Sequence, residues 1–294
     1  MRFQPKSKLV KHKQFYDYIE NKKTVPINIE VSVSGICNAK CPWCFYGNNL
    51  DNILIDPNVL KSFLAQAYDM GVNAISWTGG GEPTCHPKIS EFVDFVKMKQ
   101  GLFTNALAKP KYDPTKLEWI RVSKTDKKWN IENLKILRDC KTLGLCINYT
   151  GDDEIVMEAL EVAEKVNVDY VQVRPALNVG NVLTDMKPPN IDHPLLLKTK
   201  YKFEEANVKR QYDKCRGFHF VPFIWENGNV DVCAYQQKDN EYNLGNIYKN
   251  SFSDIVNKFP EHVAVNNNCQ TCCKNNEINS VLDDTLNIED GDFV

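Results

Sequence analysis

The segment INIEVSVSGICNAKCPWC, residues 27–44, joins a strand-like run to three closely spaced cysteines. The run 27–33 is rich in β-branched residues, which is typical of a strand. Cys37, Cys41 and Cys44 follow it, so we expect them on a loop at the carboxyl end of that strand. Thiolates suit zinc or iron–sulfur clusters, and zinc sites usually combine two separated pairs of ligands. Three clustered cysteines favour a four-iron cluster with one open iron over a zinc site completed by a distant ligand or over buried free thiols.

Short strand-like runs alternate with segments of helical spacing between residues 27 and 175. The predicted strands are 27–33, 74–78, 101–104, 118–122, 145–149 and 170–175. Apolar residues at helical spacing predict helices that include 60–67, 89–96 and 156–163, and Asn130 is predicted to cap a further helix. This alternation predicts parallel strands with helical crossovers, but the periodicity alone fits a barrel and a doubly wound sheet equally well.

A second motif, Gly79-Gly80-Gly81-Glu82-Pro83, follows the second predicted strand. Glycines let the backbone approach a ligand closely, and a carboxylate can pair with an ammonium group. The cysteines in their C-x3-C-x-aromatic-C form, this motif and the six-strand rhythm together resemble the radical S-adenosylmethionine (SAM) enzymes over residues 27–175. The resemblance implies an α/β fold, a partial (β/α)6 TIM barrel with SAM in its mouth.

The resemblance also implies a chemistry and a set of ligands. Cys37, Cys41 and Cys44 would hold a 4Fe–4S cluster whose open iron is chelated by SAM. Reductive cleavage of SAM would yield methionine and a 5′-deoxyadenosyl radical that abstracts hydrogen from a substrate. A flavodoxin or a ferredoxin-type protein would be the reductant. The implied SAM contacts are Trp43, Tyr46, Gly79, Gly80, Gly81, Glu82, Asn105, Ser123, Asn148 and Arg174. The text VSKTD departs from the usual pattern of these enzymes, which leaves Lys124 and Asp126 without an implied role.

A second group of cysteines lies in the last third of the chain. Cys215, Cys233, Cys269 and Cys272, with Gly228 five positions before Cys233, resemble the SPASM/twitch extensions of radical SAM enzymes. The small number of cysteines fits the shorter twitch form, which implies a small C-terminal domain with one auxiliary 4Fe–4S cluster. We expect a β-hairpin that turns at 226–229 and a short helix near 251–259 in it. A four-cysteine zinc site is the alternative, and Cys273 is an alternative ligand to Cys272.

These patterns divide the chain into five parts. The predicted parts are an N-terminal extension at 1–26, the barrel at 27–190, a linker with a helix at 191–214, the auxiliary domain at 215–276 and an acidic tail at 277–294. Three cysteines belong to neither group. Cys85 is a candidate catalytic thiol, with packing as the alternative, whereas Cys140 and Cys146 are expected to be buried hydrophobic side chains.

Composition excludes several classes of protein. The net charge is −2, from 36 Lys and Arg against 38 Asp and Glu, so a binder of nucleic acid that relies on a basic surface is not expected. No apolar run is long enough for a membrane helix, and no secretory signal is present. Eleven cysteines without an export signal favour metal binding in the reducing cytoplasm over disulfides.

Three hypotheses for function remain. The favoured one is oxidation or epimerisation of a small molecule, because about 26 residues before the first strand are too few for a peptide-recognition domain. The second is a maturase that modifies a peptide or a protein. The third is a non-catalytic iron–sulfur or zinc protein, which would not cleave SAM.

Overall fold

The computed structural model describes residues 8–44, 46, 50–178, 181–182, 187–197, 203, 210, 212–234, 240–265 and 275–287. The helices are α1 (Lys13–Asn21), α2 (Pro57–Asp69), α3 (Ile89–Phe95), α4 (Ile131–Leu137), α5 (Asp153–Val166), α6 (Phe252–Asn257) and α7 (Asn276–Leu286). The first six strands are β1 (Asn28–Ser32), β2 (Ala74–Thr78), β3 (Lys99–Thr104), β4 (Trp119–Ser123), β5 (Leu143–Tyr149) and β6 (Tyr170–Pro175). The later strands are β7 (Leu177–Asn178), β8 (Asn181–Val182), β9 (Lys214–Cys215), β10 (Phe223–Ile224), β11 (Asn229–Asp231), β12 (Asn243–Asn246) and β13 (Val263–Ala264).

The order of the strands distinguishes between the two architectures that the periodicity left open. Strands β1 to β6 are parallel, and each pairs with the next one along the chain. A doubly wound sheet reverses its strand order at a switch point, whereas a barrel keeps the sequential order. The structure therefore confirms the α/β fold with a partial six-stranded barrel.

The crossover helices α2 and α4 begin where the sequence supplies N-caps. The side chain of Asp56 accepts hydrogen bonds from two backbone N–H groups at the start of α2, and Pro57 occupies the first helical position. Asn130 caps α4, as predicted, by accepting the N–H of Asn133. The apolar faces of these helices pack on the outer face of the sheet, and together they form the main hydrophobic core.

The predicted C-terminal hairpin is present, and it extends the barrel sheet. Strands β10 and β11 are antiparallel, and Gly228 in their turn has φ of 82°, a conformation that favours glycine. Strand β10 pairs in parallel with β1, so the hairpin and β12 enlarge the sheet to nine strands. The hairpin therefore joins the edge of the barrel on the side of the strand that precedes the first cysteine group.

The two ends of the described chain pack together beside the barrel. Phe15 and Tyr18 of α1 form a small core with Phe220 and with Leu282 of α7. The segment 277–294 is predicted to be an acidic tail that is solvated or loosely docked, and its part 277–286 lies in helix α7, whose apolar side packs into this small core. Residues 288–294 lie outside the described part of the chain.

The predicted linker helix falls in the charged stretch 198–206, and all of this stretch except residue 203 lies outside the described residues. Before it, Leu196 forms an isolated parallel bridge with Val171 of β6. None of the described helices is long and apolar enough to span a membrane.

Candidate functional site

A cavity of about 410 Å³ opens where the carboxyl ends of the barrel strands meet. It brings together all ten of the predicted SAM contacts with the first cysteine group. These residues are Cys37, Cys41, Trp43, Cys44, Tyr46, Gly79, Gly80, Gly81, Glu82, Asn105, Ser123, Asn148 and Arg174. The positions come from six separate segments of the chain, so the barrel gathers into one place what the sequence holds far apart.

Two loops at the cavity are joined through their backbones. They are the cysteine loop, residues 34–44, and the triple-glycine loop, residues 79–82. Gly81 donates its N–H to the carbonyl of Ser34 at 2.9 Å, and Glu82 donates to Ile36 at 2.8 Å. A Cβ at Gly81 would collide with the carbonyl oxygen of Ile36. Gly81 is therefore required for the close approach of the two loops. Gly80 has no such restriction, because the nearest atoms to a Cβ there lie at 3.6 Å.

The carboxylate of Glu82 is only 3% exposed and is used within the loop framework. One oxygen accepts from the N–H of Thr84 and from the hydroxyls of Thr84 and Thr104, and the other accepts the N–H of Asn105 at 2.7 Å. Burial raises the pKa of this carboxyl, and the four hydrogen bonds oppose that shift. Glu82 thus connects the loop after β2 to the end of β3. The sequence predicted only that this carboxylate would pair with an ammonium group.

Two side chains that follow strands β3 and β4 also hold the cysteine loop. The amide nitrogen of Asn105 donates to Asn38 at 2.7 Å and lies 3.9 Å from the sulfur of Cys37. Asp126, to which the sequence assigned no role, accepts the N–H of Lys40 at 3.2 Å and lies 3.8 Å from the sulfur of Cys41. Two hydrogen bonds therefore anchor the stretch between Cys37 and Cys41.

The donor set of the first cysteine group, three thiols on one cavity wall, is of the kind that iron–sulfur clusters use. Within the described residues, no three His, Cys, Asp or Glu side chains converge on a point that would hold one metal ion. Each thiolate of a four-iron cluster binds its own iron, so cluster ligands need not converge in that way. Burial raises the pKa of Cys37 and of Cys41. Both thiols would therefore release a proton when they bind a metal as thiolates.

A polar chain connects the C-terminal hairpin to the triple-glycine loop. The hydroxyl of Ser32, in β1, accepts the N–H of Gly80 at 2.9 Å and donates to the carboxylate of Glu226 at 2.5 Å. Glu226 lies in the hairpin turn and is buried, and burial raises its pKa, with the neighbouring carboxylate of Asp51 adding to the rise. The hairpin thereby supports the loop that lines the cavity.

Only half of the second cysteine group can be located. Cys269, Cys272 and the alternative Cys273 lie outside the described residues. Cys215 and Cys233 are partly exposed thiols that do not line the cavity. The amide nitrogen of Asn279, in α7, donates to the sulfur of Cys215 at 3.4 Å.

The three remaining cysteines also lie away from the cavity lining. Cys85 ends the short 3-10 helix Pro83–Cys85, and burial raises its pKa to about 11. A thiol with such a pKa is protonated at neutral pH, which is the form that a hydrogen donor needs, so the redox or hydrogen-donor role of Cys85 stays a prediction beside simple packing. Cys140 and Cys146 are buried, in agreement with the packing role predicted for them.

The sequence analysis missed several residues of the cavity wall. They include Glu30, Phe103, Arg121, Phe223 and Ala234. Successive side chains of a strand point to opposite faces, so Arg121 shares a face with Ser123 and Glu30 with Ser32. Alternation counted back from Ser123 would have identified Arg121, whereas β1 holds no predicted contact from which Glu30 could have been found.

The sequence matches no protein-family model and no curated protein. Among solved structures, Streptococcus suis SuiB bound to its precursor peptide SuiA superposes with a TM-score of 0.61 at 20% identity, covering 83% of this chain and 67% of that one. Native anSMEcpe with bound AdoMet (SAM) superposes with a TM-score of 0.53 at 15% identity, covering 78% of this chain and 80% of the other. Both proteins are radical SAM enzymes, and this chain shares their fold.

Proposed function

We propose that this chain, which has the fold of the radical SAM enzymes, reductively cleaves SAM and uses the resulting radical to abstract hydrogen from a substrate. The observation that carries the proposal is the cavity at the carboxyl ends of the strands. There the three clustered cysteines and the triple-glycine loop line one space, and two backbone hydrogen bonds join the loops on which they lie. A fold alone does not establish an activity, whereas this set of side chains in one cavity supports the proposed chemistry.

The cluster and SAM would supply the radical chemistry, in which one electron cleaves SAM to methionine and a 5′-deoxyadenosyl radical. The protein's own residues would bind and orient these groups. Cys37, Cys41 and Cys44 would be the cluster ligands, and the backbone of residues 79–81 would receive the ammonium group of SAM. The carboxylate of Glu82 already accepts four hydrogen bonds, so its main contribution would be to hold that backbone in place.

The polar residues at the ends of β4 to β6 would contact the rest of SAM. Arg174 donates from Nε to the amide oxygen of Asn148 at 2.7 Å, which orients both side chains on the cavity wall. Tyr46 packs edge-on against Trp225, with ring centroids 5.8 Å apart, and so links the cysteine loop to the C-terminal hairpin. An aromatic side chain fixed in this way is suited to pack against the adenine of SAM.

An auxiliary 4Fe–4S cluster on Cys215, Cys233, Cys269 and Cys272, in a C-terminal domain that begins at residue 215, is part of the proposal. The hydrogen bond from Asn279 to Cys215 supports it, since N–H donors to sulfur are one of the factors that tune such clusters. Counting partners only among the described residues, both side-chain polar atoms of the buried Asn275, which follows the segment 266–274, lack a hydrogen bond. Such atoms are expected at a site that is completed by further groups.

The favoured substrate is a small molecule that is oxidised or epimerised, with a flavodoxin or ferredoxin-type reductant in the cytoplasm. The auxiliary cluster would accept an electron from the substrate radical or pass electrons to the first cluster. Modification of a peptide is the second candidate, because SuiB, which superposes on 83% of this chain, was solved with a precursor peptide.

Anaerobic reconstitution followed by reduction in the presence of SAM tests the proposal. We expect wild-type protein to form 5′-deoxyadenosine and the Cys37→Ala/Cys41→Ala/Cys44→Ala variant to form none. Cys140→Ala is the matched control, because this thiol is buried in the core away from the cavity. Cleavage of SAM by the triple variant, or no cleavage by fully loaded wild-type protein, would contradict the proposal and favour a non-catalytic metal protein.

Iron and sulfide analysis tests the auxiliary cluster separately. Two clusters require about eight irons per chain, and we expect the Cys215→Ala/Cys233→Ala variant to retain about four. Loss of product with continued cleavage of SAM would support electron acceptance from the substrate. Normal product formation by this variant would exclude that role.

A further inference from the structure

The cavity continues below the predicted SAM contacts into the interior of the barrel. Arg121 lies in β4 two residues before Ser123, and both line the cavity. A strand rises about 3.3 Å per residue, so Arg121 lies about 6 to 7 Å farther than Ser123 from the carboxyl end of the barrel. The cysteine loop lies at that carboxyl end, where Asn105, just after β3, approaches Cys37.

Three aromatic rings fix the guanidinium group of Arg121. Its central carbon lies 5.3 Å from the centroid of Phe103 and 5.8 Å from those of Trp119 and Tyr170. Its Nε donates to the hydroxyl of Tyr170 at 3.1 Å. Stacked rings attract the cation and limit its rotation, so the side chain is held in one orientation before any ligand binds.

The rings of Phe103, Trp119 and Tyr170 form an aromatic cradle around Arg121. Two glycines make room for this cradle. A Cβ at Gly101, in β3, would collide with the indole ring of Trp119, and a Cβ at Gly144, in β5, would collide with the ring of Tyr170. Both rings therefore lie flat against the backbone of a neighbouring strand. Residues of four strands, β3 to β6, cooperate to place one guanidinium group on the cavity wall.

The cradle orients the charge of Arg121 but does not neutralise it. Within the described part of the chain, its contacts are the three rings and the Tyr170 hydroxyl, and none of them is a carboxylate. A guanidinium group carries a positive charge. Lys124 on the same wall differs, because its ammonium group lies 3.8 Å from the carboxylate of Glu158. A partly buried cation without a matching anion is costly, and a bound anion would remove that cost.

Resting on the proposed function, we propose that Arg121 binds a carboxylate of the substrate. Only Nε of its guanidinium group takes part in the hydrogen bond to Tyr170, so the terminal N–H groups can meet the two oxygens of a carboxylate. By the proposed function, SAM would be held at the mouth beside the cysteine loop, and an acidic group of the substrate would be anchored farther inside the barrel, at Arg121. The substrate is therefore an acid, either a small carboxylic acid or an acidic side chain of a peptide.

Paired probes test the preference for a carboxylate without requiring turnover. N-acetylglycine and N-acetylglycinamide have nearly the same shape, and only the first carries a carboxylate. Binding of each to the reconstituted, SAM-bound protein is measured by saturation-transfer NMR. We expect the acid to bind at least about tenfold more tightly, which is typical for a hydrogen bond to a charged group. A peptide arm uses Gly-Gly-Asp-Gly-Gly and Gly-Gly-Asn-Gly-Gly with blocked ends, and the arm that discriminates identifies the source of the carboxylate.

Variants then assign the preference to Arg121. Arg121→Gln is expected to lose the preference for the acid probe. Arg121→Lys keeps the positive charge but not the paired N–H groups of the guanidinium, and it is expected to retain part of this preference. Arg138→Gln is the matched control, since Arg138 pairs with Asp169 at 2.7 Å outside the cavity. The affinity for SAM, measured on the same samples, is expected to be unchanged in all three variants.

Three results would overturn this inference. The first is equal binding of acid and amide probes by the wild-type protein in both arms, which needs no variant to interpret. The second is an unchanged preference in Arg121→Gln. The third is a fall in SAM affinity in Arg121→Gln as large as the fall in probe affinity, which would assign Arg121 to SAM. Failure of the proposed function is distinguishable, because it would abolish formation of 5′-deoxyadenosine in wild-type protein while the preference for the acid probe persisted.

Discussion

The hydroxyl of Ser32 donates to the carboxylate of Glu226 at 2.5 Å, and this bond joins the first barrel strand to the C-terminal hairpin. The same hydroxyl accepts the N–H of Gly80. A residue of the C-terminal part of the chain therefore helps to position the loop that we assign to SAM. This arrangement predicts that binding of SAM depends on a side chain far from the cysteine motif in sequence.

We expect Glu226→Ala to weaken SAM binding by about tenfold, because Ser32 loses its acceptor and the triple-glycine loop loses support. Glu226→Gln retains an acceptor oxygen and is expected to bind SAM within about twofold of wild type. Equilibrium binding to the reconstituted protein measures both. Equal affinity for the two variants would show that the hairpin does not position the loop.

Glu82→Gln is expected to destabilise the protein by about 1 to 3 kcal/mol, although the side chain keeps its shape. The two carboxylate oxygens each accept a backbone N–H, from Thr84 and from Asn105. Whichever way the amide is turned, its NH2 group faces one of these donors. Urea unfolding measures the loss, and Glu118→Gln, on the surface beside Lys141, is the control with an expected change within about 0.5 kcal/mol. Equal effects of the two substitutions would contradict the framework role of Glu82.

Gly81→Ala and Gly80→Ala form a steric pair on the same loop. A Cβ at Gly81 meets the backbone of Ile36, whereas at Gly80 it meets only ordinary contacts at 3.6 Å. We expect Gly81→Ala to lower stability by about 1 to 3 kcal/mol and to reduce the iron content of the reconstituted protein. Gly80→Ala should have a clearly smaller effect on both measurements. The opposite ranking would mean that the two loops are not packed as described.

His219 makes the stability of the protein depend on pH. This side chain is 1% exposed, and burial lowers its pKa to about 4 from 6.5. Its Nε2–H donates to the carbonyls of Pro260 and Glu261 at 2.9 and 3.1 Å. The unfolded chain binds a proton below pH 6.5 while the folded protein does not, so the stability contributed by neutral His219 is present above that pH and is lost as the pH falls towards 4.

Comparison with His219→Gln isolates this contribution from other acid-labile groups. Between pH 7 and pH 5, we expect wild-type protein to lose roughly 2 kcal/mol more of its free energy of unfolding than the variant loses. Urea midpoints at both pH values supply the measurement. Parallel losses in the two proteins would show that His219 is not held neutral.

Local patterns in the sequence predicted much of the barrel. Strands at 74–78 and 170–175 agree with the structure to the residue, because β-branched and aromatic runs bounded by polar segments are local features. The pairing of β10 with β1 was not predicted, because it joins segments almost 200 residues apart and neither segment carries a local pattern that indicates its partner.

In the candidate site, too, local motifs were predicted and contacts between distant segments were not. The cysteine group and the triple-glycine loop are contiguous motifs, and the sequence analysis identified both. The hydrogen bonds that occupy Glu82 depend on where β3 ends relative to β2, which is a tertiary property. Arg121 was missed because an arginine inside a strand carries no motif, and its environment consists of residues from neighbouring strands.

We propose that SAM binds an open iron of a cluster held by Cys37, Cys41 and Cys44. Electron–nuclear double resonance on the reduced Cys215→Ala/Cys233→Ala protein tests it directly, with SAM labelled with nitrogen-15 in its amino group. We predict a hyperfine coupling between the cluster and the label, because the amino group would be a ligand of the open iron. A reduced four-iron cluster with SAM bound and no coupling to the label would contradict the account.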